Sequence, residues 1–533
     1  MASEIEQLKL AVDSDEAAAQ YFLALAYEHG AGVVQDLNEA VRLFRLAADQ
    51  GLARAQYNLG KYYKEGKGVT ADLNEAVRLF RLAANQGDAR GQHSLGLRYY
   101  HGTGIAKDEQ EAVSWFTLAA NQGNVQAQYD LGVCYANGTG VIQNEREALR
   151  LYTLAANQGN ASAQCNLGLC YYCGMGISKD DVEAVRLFTL AADQGNAVAQ
   201  TNLGLCYTNG TGVPKNDQEA VRFYTLAANQ GCAEAQHSLS VRYNSGTGVI
   251  KNEQETMHWC ALAANQGHAT AQYNLGIHYK NGAGIAKNEQ EAVRWFTLAA
   301  NQRNAEAQHM LGLCYASEIG VTKNEQEAVS WFTLAANQGL VQAQYLLGMC
   351  YVSGTGLTKN EEEAVRWFTL AANQGNDEAQ LKLALCCYMG TGVAIDHVEA
   401  VRLYTLAAKQ GNAAAQSNLG LCYANGTGVT KNEQEAVRFY TLAANQGEAQ
   451  AQFNLGAAYY DGIGVMKNEQ EAMRWFALAA NQGHPMAQYN LGIYYYNGNG
   501  VNRNVMEAIR LFRLSAAQGN GSARDVLTQL NIR

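Results

Sequence analysis

Residues 272 to 307 read QYNLGIHYKNGAGIAKNEQEAVRWFTLAANQRNAEA, and close variants of this stretch fill almost the whole chain of 533 residues. Its first glutamine recurs every 36 residues, from Gln20 to Gln488, in 14 copies without insertion or deletion. A period of this length is typical of stacked helical hairpins and other solenoids. The sequence therefore predicts one elongated array, and not the roughly three or four globular domains that length alone would suggest.

Each copy has the pattern of two helices joined by a tight turn. The first half alternates apolar and polar residues, as a strand would, but the segment extends beyond ten residues and its length favours a helix. Gly282 and Gly284 end this helix and supply the positive φ angles of a turn. A second helix follows Asn288, which suits an N-cap, and Glu291 three residues later predicts a capping box. The expected fold class is all-α.

The recurring pattern A-x-x-x-L-G-x-x-Y, G-x-G-V and N-x-x-E-A-V-R-x-F-x-L-A-A-x-Q-G resembles the Sel-1-like repeat family, a relative of the tetratricopeptide repeats. The resemblance covers roughly residues 16–519. It implies a right-handed α/α superhelical solenoid of 14 antiparallel helix pairs, whose first helices line a concave groove and whose second helices face outward. It also implies a non-enzymatic scaffold or adaptor that binds other proteins. Repeats are numbered here from the copy that contains Gln20.

The two ends of the chain look like half-repeats. Residues 1–15 resemble a lone second helix, and residues 520–533 resemble a lone first helix with apolar Val526, Leu527 and Leu530. Terminal helices of this kind hide the apolar faces that the end repeats of a stack would expose. We therefore expect a capping helix at each end, with the fourteen repeats in residues 16–519.

Charge and hydropathy limit the compartment and the class of partner. The N-terminus MASEIEQLKL lacks the features of a signal peptide, and no segment approaches the 18 apolar residues of a membrane span. We expect a cytoplasmic protein, while export by a route without such a signal stays open. The net charge is −10 and the basic residues are scattered, which disfavours nucleic acid as a partner. A monomer is the favoured oligomeric state.

The sequence offers no clear catalytic or metal-binding motif. Seven of the 12 cysteines share one first-helix position, from Cys134 to Cys422. Successive copies in a stack should lie about 10 Å apart, which is too far for disulfides, so we expect buried thiols. Cys170 and Cys173 form a C-x-x-C by chance in our interpretation, because no further ligands accompany them. No H-x-x-x-H spacing with a carboxylate partner occurs. We expect no catalytic residue, no metal and no cofactor.

The predicted binding face consists of two variable positions on the first helix. One is the residue after the repeat glutamine and the other lies seven residues further on, so that both share a face of the helix. Because tyrosine is common in binding hot spots, this face predicts recognition of a peptide or partner protein. With two arginines discussed below, the predicted partner-binding residues are Tyr57, Lys64, His93, Arg98, Tyr100, Tyr129, Tyr172, His237, Arg242, Tyr273, Lys280, His309, Tyr345, Tyr388 and Tyr489.

Three alternatives to this interpretation stay open. The tyrosines could serve only to cover neighbouring helices. The groove could instead belong to an enzyme or hold a small molecule, although convergent titratable groups are not evident. The near-identical copies also fit an inert structural array without a specific ligand.

Two local departures from the repeat pattern carry further predictions. Repeats 3 and 7 place Arg98 and Arg242 at a position that is cysteine or alanine in most other copies, where an arginine needs an acidic partner or access to solvent. We hypothesise two basic pockets that accept a carboxylate from a ligand; duplication of a repeat block is the alternative explanation. Arg303 and Glu318 replace helix-end glycines, so we predict a locally weak joint in residues 300–322.

Overall fold

The structure of the chain is a computed structural model that describes residues 16–532. Over these residues the fold is all-α, with 29 helices and no strand. The predicted N-terminal capping helix in residues 1–15 lies outside the described residues. Each repeat contributes a first and a second helix of 13 residues, as the sequence predicts.

The first helices of repeats 1 to 14 span Ala17–His29, Ala53–Glu65, Ala89–His101, Val125–Asn137, Ala161–Cys173, Ala197–Asn209, Ala233–Ser245, Ala269–Asn281, Ala305–Ser317, Val341–Ser353, Asp377–Met389, Ala413–Asn425, Ala449–Asp461 and Pro485–Asn497. The second helices span Leu37–Asp49, Leu73–Asn85, Glu109–Asn121, Glu145–Asn157, Asp181–Asp193, Asp217–Asn229, Glu253–Asn265, Glu289–Asn301, Glu325–Asn337, Glu361–Asn373, His397–Lys409, Glu433–Asn445, Glu469–Asn481 and Val505–Ala517. A last helix, Gly521–Gln529, packs Leu527 against Phe512 of repeat 14.

The chain forms two compact units that divide between His268 and Ala269. The described part of the first unit contains repeats 1 to 7, and the second contains repeats 8 to 14 with the last helix. Within each unit, every helix contacts the helices next to it in the chain. Among the described helices, none is long and apolar enough to cross a bilayer.

The second helices begin at the predicted N-caps, but the predicted capping box is only half formed. Asn288 Oδ1 accepts a 3.1 Å hydrogen bond from the Glu291 amide, as expected. The reciprocal bond is absent, because the Asn288 amide donates instead to the Tyr279 carbonyl at 2.9 Å. The Glu291 carboxylate pairs with Arg294 at 3.0 Å. The Asn288 amide is therefore bonded to the end of the first helix, and the Glu291 side chain does not cap it.

Glycine stands at most left-handed positions of the backbone, and Arg303 and Glu318 adopt the same conformation within the repeats. Gly282 and Gly284 have φ angles of 72° and 73°. Arg303 and Glu318 have φ angles of 65° and 58°, so they keep the left-handed conformation of the glycines they replace. The local cost on which the weak-joint prediction depends is thus present.

The glycine inside the first helix allows close contact with the second helix of the same repeat. A Cβ atom on Gly276 would lie 2.6 Å from the ring of Phe296. In repeat 7 this glycine is replaced by Ser240, and the matching aromatic position holds Cys260. A larger residue on one helix is thus accompanied by a smaller one on the other. Alanine takes the glycine position in repeats 1 and 11.

The repeat glutamine, which sets the register of the sequence, connects helices through buried hydrogen bonds. Gln200 is 4% exposed, and its Oε1 accepts a 2.7 Å bond from Gln230, the glutamine that ends the second helix of its own repeat. Its Nε2 donates at 3.1 Å to the carbonyl of Ala192 in the preceding repeat. The bond within the repeat recurs in all fourteen copies. The bond to the preceding repeat recurs in repeats 2–7 and 9–14. Buried amides are thereby satisfied on both sides.

Candidate protein-binding face

In most repeats the residue after the repeat glutamine is aromatic and contacts an aromatic ring of the second helix; this position is here named the ring column. The Tyr57 ring centroid lies 6.0 Å from that of Phe80, and His93 lies 5.7 Å from Phe116. The same tilted contact, at 5.9 to 6.1 Å, recurs at Tyr129, Tyr273, His309, Tyr345 and Tyr489. These ring-column residues are all half-buried, so each has one edge on the core and another at the surface. Covering the neighbouring helix is thus one of their roles.

The second predicted position flanks the same aromatic rings from the other side. Tyr100 lies 6.3 Å from Phe116, the ring that His93 also contacts, and Tyr172 lies 6.5 Å from Phe188. Lys280 and Tyr388 are half-buried at this position, and Lys64 is exposed. In repeat 3 the structure therefore brings the two predicted positions together around one second-helix ring.

Burial shifts the pKa values of several ring-column side chains in the direction that favours their neutral forms. It raises the pKa of Tyr57, Tyr129, Tyr273 and Tyr345, so that their hydroxyl groups stay protonated at neutral pH. It lowers the pKa of His309, and the charge of Lys280 adds to that effect. These four tyrosines therefore present neutral rings, each with a polar hydroxyl group.

A polar contact connects the ring column of repeat 3 to repeat 4. His93 Nε2 lies 2.7 Å from Asp130 Oδ2, and the two side chains are 13% and 20% exposed. Asp130 was not predicted. The available signal was an aspartate in a column that is asparagine in seven other copies, including Asn166 and Asn202.

Arg98 and Arg242 occupy equivalent positions but have different surroundings. Arg242 donates to Asp217 at 2.9 Å and to Thr208 at 2.6 Å, so its acidic partner lies within the chain. The residues equivalent to Asp217 and Thr208 in repeat 2 are Leu73 and Lys64. Arg98 thus has no acid at this place.

The environment of Arg98 is consistent with that difference. Its Nε is buried and has no hydrogen-bond partner. Burial lowers the pKa of Arg98, although a guanidinium stays charged at neutral pH. Arg98 therefore carries a charge that the described part of the chain does not neutralise at this position.

One surface feature was missed by sequence reasoning. The second helix of every repeat carries a leucine that is 36–48% exposed, here named the leucine column. Its members in the first unit are Leu46, Leu82, Leu118, Leu154, Leu190, Leu226 and Leu262. Its members in the second unit are Leu298, Leu334, Leu370, Leu406, Leu442, Leu478 and Leu514. The available signal was its constancy in all copies, but a constant leucine is equally expected in a core.

The cysteine position predicted to hold buried thiols does so. Cys134 and Cys206 are each 1% exposed, and Cys350 is the only one of the seven that is half-buried. Burial raises the pKa of Cys134 to about 12 and that of Cys206 to about 11. All cysteines in the described residues are free, and Cys173 of the C-x-x-C is exposed. Such thiols are poor nucleophiles at neutral pH.

Helix pairs in an unbroken 36-residue register, bonded from one repeat to the next within each unit, define an α-helical repeat protein of the solenoid class. The model of the Sel1 repeat matches fourteen consecutive segments, from residues 17–52 to residues 485–520. The chain belongs to the Sel1 repeat family. Sel1 repeat proteins generally mediate interactions between proteins.

Two solved structures illustrate the relationship. The chain is similar to c5321, a protective antigen present in uropathogenic Escherichia coli strains that displays an SLR fold; the identity is 33%, the alignment covers 86% of this chain and 98% of that one, and the TM-score is 0.68. It is also similar to a Sel1 repeat protein from Oxalobacter formigenes, at 35% identity, with 58% of this chain and 89% of that one covered and a TM-score of 0.44. The comparison with curated proteins found no match.

Proposed function

We propose that this chain is a non-enzymatic scaffold that binds a protein or peptide along the face formed by its first helices. The observation that carries the proposal is the ring column, in which a half-buried aromatic group recurs and is held by a second-helix ring. Because these rings are already fixed, their contact with a partner loses little conformational entropy. They recur at the same position of successive repeats, except in repeats 5, 6, 11 and 12, and this suits an extended partner segment with affinity distributed over many weak contacts.

Arg98 supplies a specific anchor on this face. Its guanidinium is half-buried with an unpartnered Nε, and Lys64 occupies the place where Arg242 meets Thr208. A carboxylate from a partner would accept hydrogen bonds from Arg98 and would neutralise its charge. The partner segment is therefore expected to carry an acidic side chain or a free C-terminus at this point. Arg242 is not part of the proposal, because Asp217 already neutralises it.

The non-enzymatic part of the proposal is supported by the state of the nucleophilic groups. Six of the seven thiols at the repeated cysteine position are buried, and burial raises the pKa of Cys134 to about 12 and that of Cys206 to about 11. Among the described residues, His93 and Asp130 form a close acid–base pair, but no serine, threonine or cysteine is bonded to His93. An arrangement for nucleophilic catalysis requires such a bond.

The experiment is affinity capture from a lysate of the organism that encodes the chain, followed by binding measurements with the captured protein. We expect one discrete partner, whose binding is lost when Tyr57, Tyr129, Tyr273 and Tyr345 are changed to alanine. Leu118→Ser with Leu334→Ser is the matched control, since it alters the two most exposed members of the leucine column. Loss of binding in the control alone would move the interface to the second helices. Absence of any partner would favour an inert array.

The arginine pair tests the carboxylate anchor separately. Arg98→Ala should weaken binding of the captured partner while leaving the stability of the chain unchanged. Arg242→Ala should leave binding unchanged but destabilise repeats 6 and 7, because the half-buried Asp217 loses the closer of its two charge partners and keeps only Lys215 at 3.7 Å. Equal binding by both variants and the unaltered chain would remove Arg98 from the interface.

A further inference from the structure

Three side chains that can bind metal ions converge at one edge of repeat 7. Glu234 and His237 lie one turn apart on the first helix, and His268 ends the repeat. His268 Nε2 lies 2.9 Å from Glu234 Oε2, and the two imidazole rings stack with centroids 4.6 Å apart. One donor atom from each of the three residues lies within 4.8 Å of the other two.

We propose that Glu234, His237 and His268 form a binding site for a divalent first-row transition-metal ion, with zinc as the ion to test. Two imidazoles and one carboxylate are a ligand set that zinc accepts, with bonds of about 2.0–2.2 Å and a fourth position open to water. Imidazole is also a ligand for copper and nickel, whereas calcium and magnesium prefer oxygen alone. The ligand chemistry therefore selects the zinc-like class of ions.

The donor spacing is close to what a tetrahedral ion needs. Bonds of this length place neighbouring donors about 3.3 Å apart, so the group must contract slightly from its 4.8 Å span. Glu234 Oε2 and His268 Nε2 already lie 2.9 Å apart, so the contraction concerns the distances to His237. Because an imidazole nitrogen donates in the plane of its ring, the two stacked histidine rings must also turn to point at one ion, and the 65% exposed Glu234 side chain can follow them.

Repeat 13 shows that the repeat itself sets this geometry. His484, which is equivalent to His268, stacks on Phe453 with centroids 4.7 Å apart. Its Nε2 lies 3.1 Å from Gln450 Oε1, in place of the glutamate oxygen. The same arrangement therefore arises in a repeat where an amide replaces the carboxylate and a phenylalanine replaces the first imidazole.

Repeat 9 contains two of the three ligands. It has Glu306 and His309 at the first-helix positions, but Leu340 ends the repeat. By sequence, repeat 7 is the copy that has a glutamate, a histidine and a histidine at these positions. The expectation that the chain has no metal site considered two histidines on one helix, and so did not include a ligand from the end of the repeat.

The test is zinc titration of the full chain by isothermal calorimetry, in a weakly coordinating buffer under reducing conditions. His268→Leu copies the residue that repeat 9 has at this position, so the fold should be retained, as circular dichroism would check. We expect this variant to bind one equivalent of zinc fewer than the unaltered chain. Leu340→His should complete the ligand set of repeat 9 and add one equivalent.

X-ray absorption at the zinc edge separates this site from adventitious binding by the cysteines. The first equivalent should have only nitrogen and oxygen ligands. Sulfur ligands on that first equivalent, or the same zinc stoichiometry in the unaltered chain and in His268→Leu, would overturn the proposal. Failure of Leu340→His to gain an equivalent would show that the three residues do not suffice.

Discussion

Glu318 ends a first helix in a conformation that favours glycine, and changing it to glycine should stabilise the second unit locally. At φ 58° and ψ 37°, an L-residue costs roughly 1–2 kcal/mol relative to the right-handed region. Glycine removes that cost, but it also raises the conformational entropy of the unfolded chain, which lowers the stability by roughly 0.4–1 kcal/mol. The net gain for Glu318→Gly is therefore about 0.5–1 kcal/mol.

The next repeat offers the reverse substitution as a matched control. Gly354 stands at the equivalent position with φ 73°, and a Cβ placed on it would have no neighbour closer than 3.6 Å. The cost of a side chain there is therefore conformational and not steric. Gly354→Glu should destabilise its helix end by about the same 0.5–1 kcal/mol.

Amide hydrogen exchange followed by mass spectrometry measures both effects locally, which a repeat array requires because its repeats can open separately. A change of about 0.5–1 kcal/mol corresponds to a roughly 2–5-fold change in protection. Peptides from Ala305–Ser317 should exchange more slowly in Glu318→Gly, and those from Val341–Ser353 faster in Gly354→Glu. Two results would contradict this reasoning. One is that Glu318→Gly does not slow amide exchange in any peptide; the other is that residues 300–322 of the unaltered chain exchange as slowly as the equivalent segments of other repeats.

Three further predictions concern buried positions. Gln200→Ala should destabilise the first unit by about 1–3 kcal/mol in urea unfolding, because it removes the two hydrogen bonds that the buried Gln200 side chain makes to Gln230 and Ala192. Gly276→Ser should cost about 1–3 kcal/mol through contact with the Phe296 ring, and adding Phe296→Cys, which reproduces the pair in repeat 7, should make the two effects clearly non-additive in a double-mutant cycle. Because burial lowers the pKa of His309, the neutral ring favours folding above a pH of about 6.5, and this contribution is lost as the pH falls towards the lowered value. His309→Tyr should therefore reduce the difference in urea midpoint between pH 7.5 and pH 5.

Each of these three predictions has a control variant or an outcome that would contradict it. Gln126, an exposed glutamine on a first helix, should tolerate alanine without a comparable loss. Additive costs in the cycle would mean that the glycine and the aromatic ring do not constrain one another. An unchanged acid sensitivity in His309→Tyr would assign that sensitivity to other groups.

The helices, their N-caps and the turn glycines could be predicted because each signal depends on residues close in sequence and recurs in every copy. The second half of the capping box could not, since the Asn288 amide bonds to Tyr279 and the Glu291 carboxylate to Arg294. Both partners were visible in the sequence, but the choice between competing bonds depends on the path of the turn.

The candidate site was predicted less completely, because its details depend on contacts between repeats. Arg98 and Arg242 have similar local sequences, and their difference comes from the preceding repeat, where Asp217 serves one and Leu73 stands at the equivalent position for the other. Once the structure gives the offset between neighbouring helices, both environments can be read from the sequence. The ligand group of repeat 7 has the same origin, since His268 enters from the end of the repeat.

The glutamine bonds have a consequence for how such a chain can change in length. Every junction within a unit uses the same donor and the same acceptor, so removing or inserting 36 residues in frame would bring together groups that already match. A cut at any other interval would pair an amide with an apolar side chain and leave its hydrogen bonds unmade. Gene duplication or deletion can therefore lengthen or shorten this array by whole repeats, with no further substitution needed at the new junction.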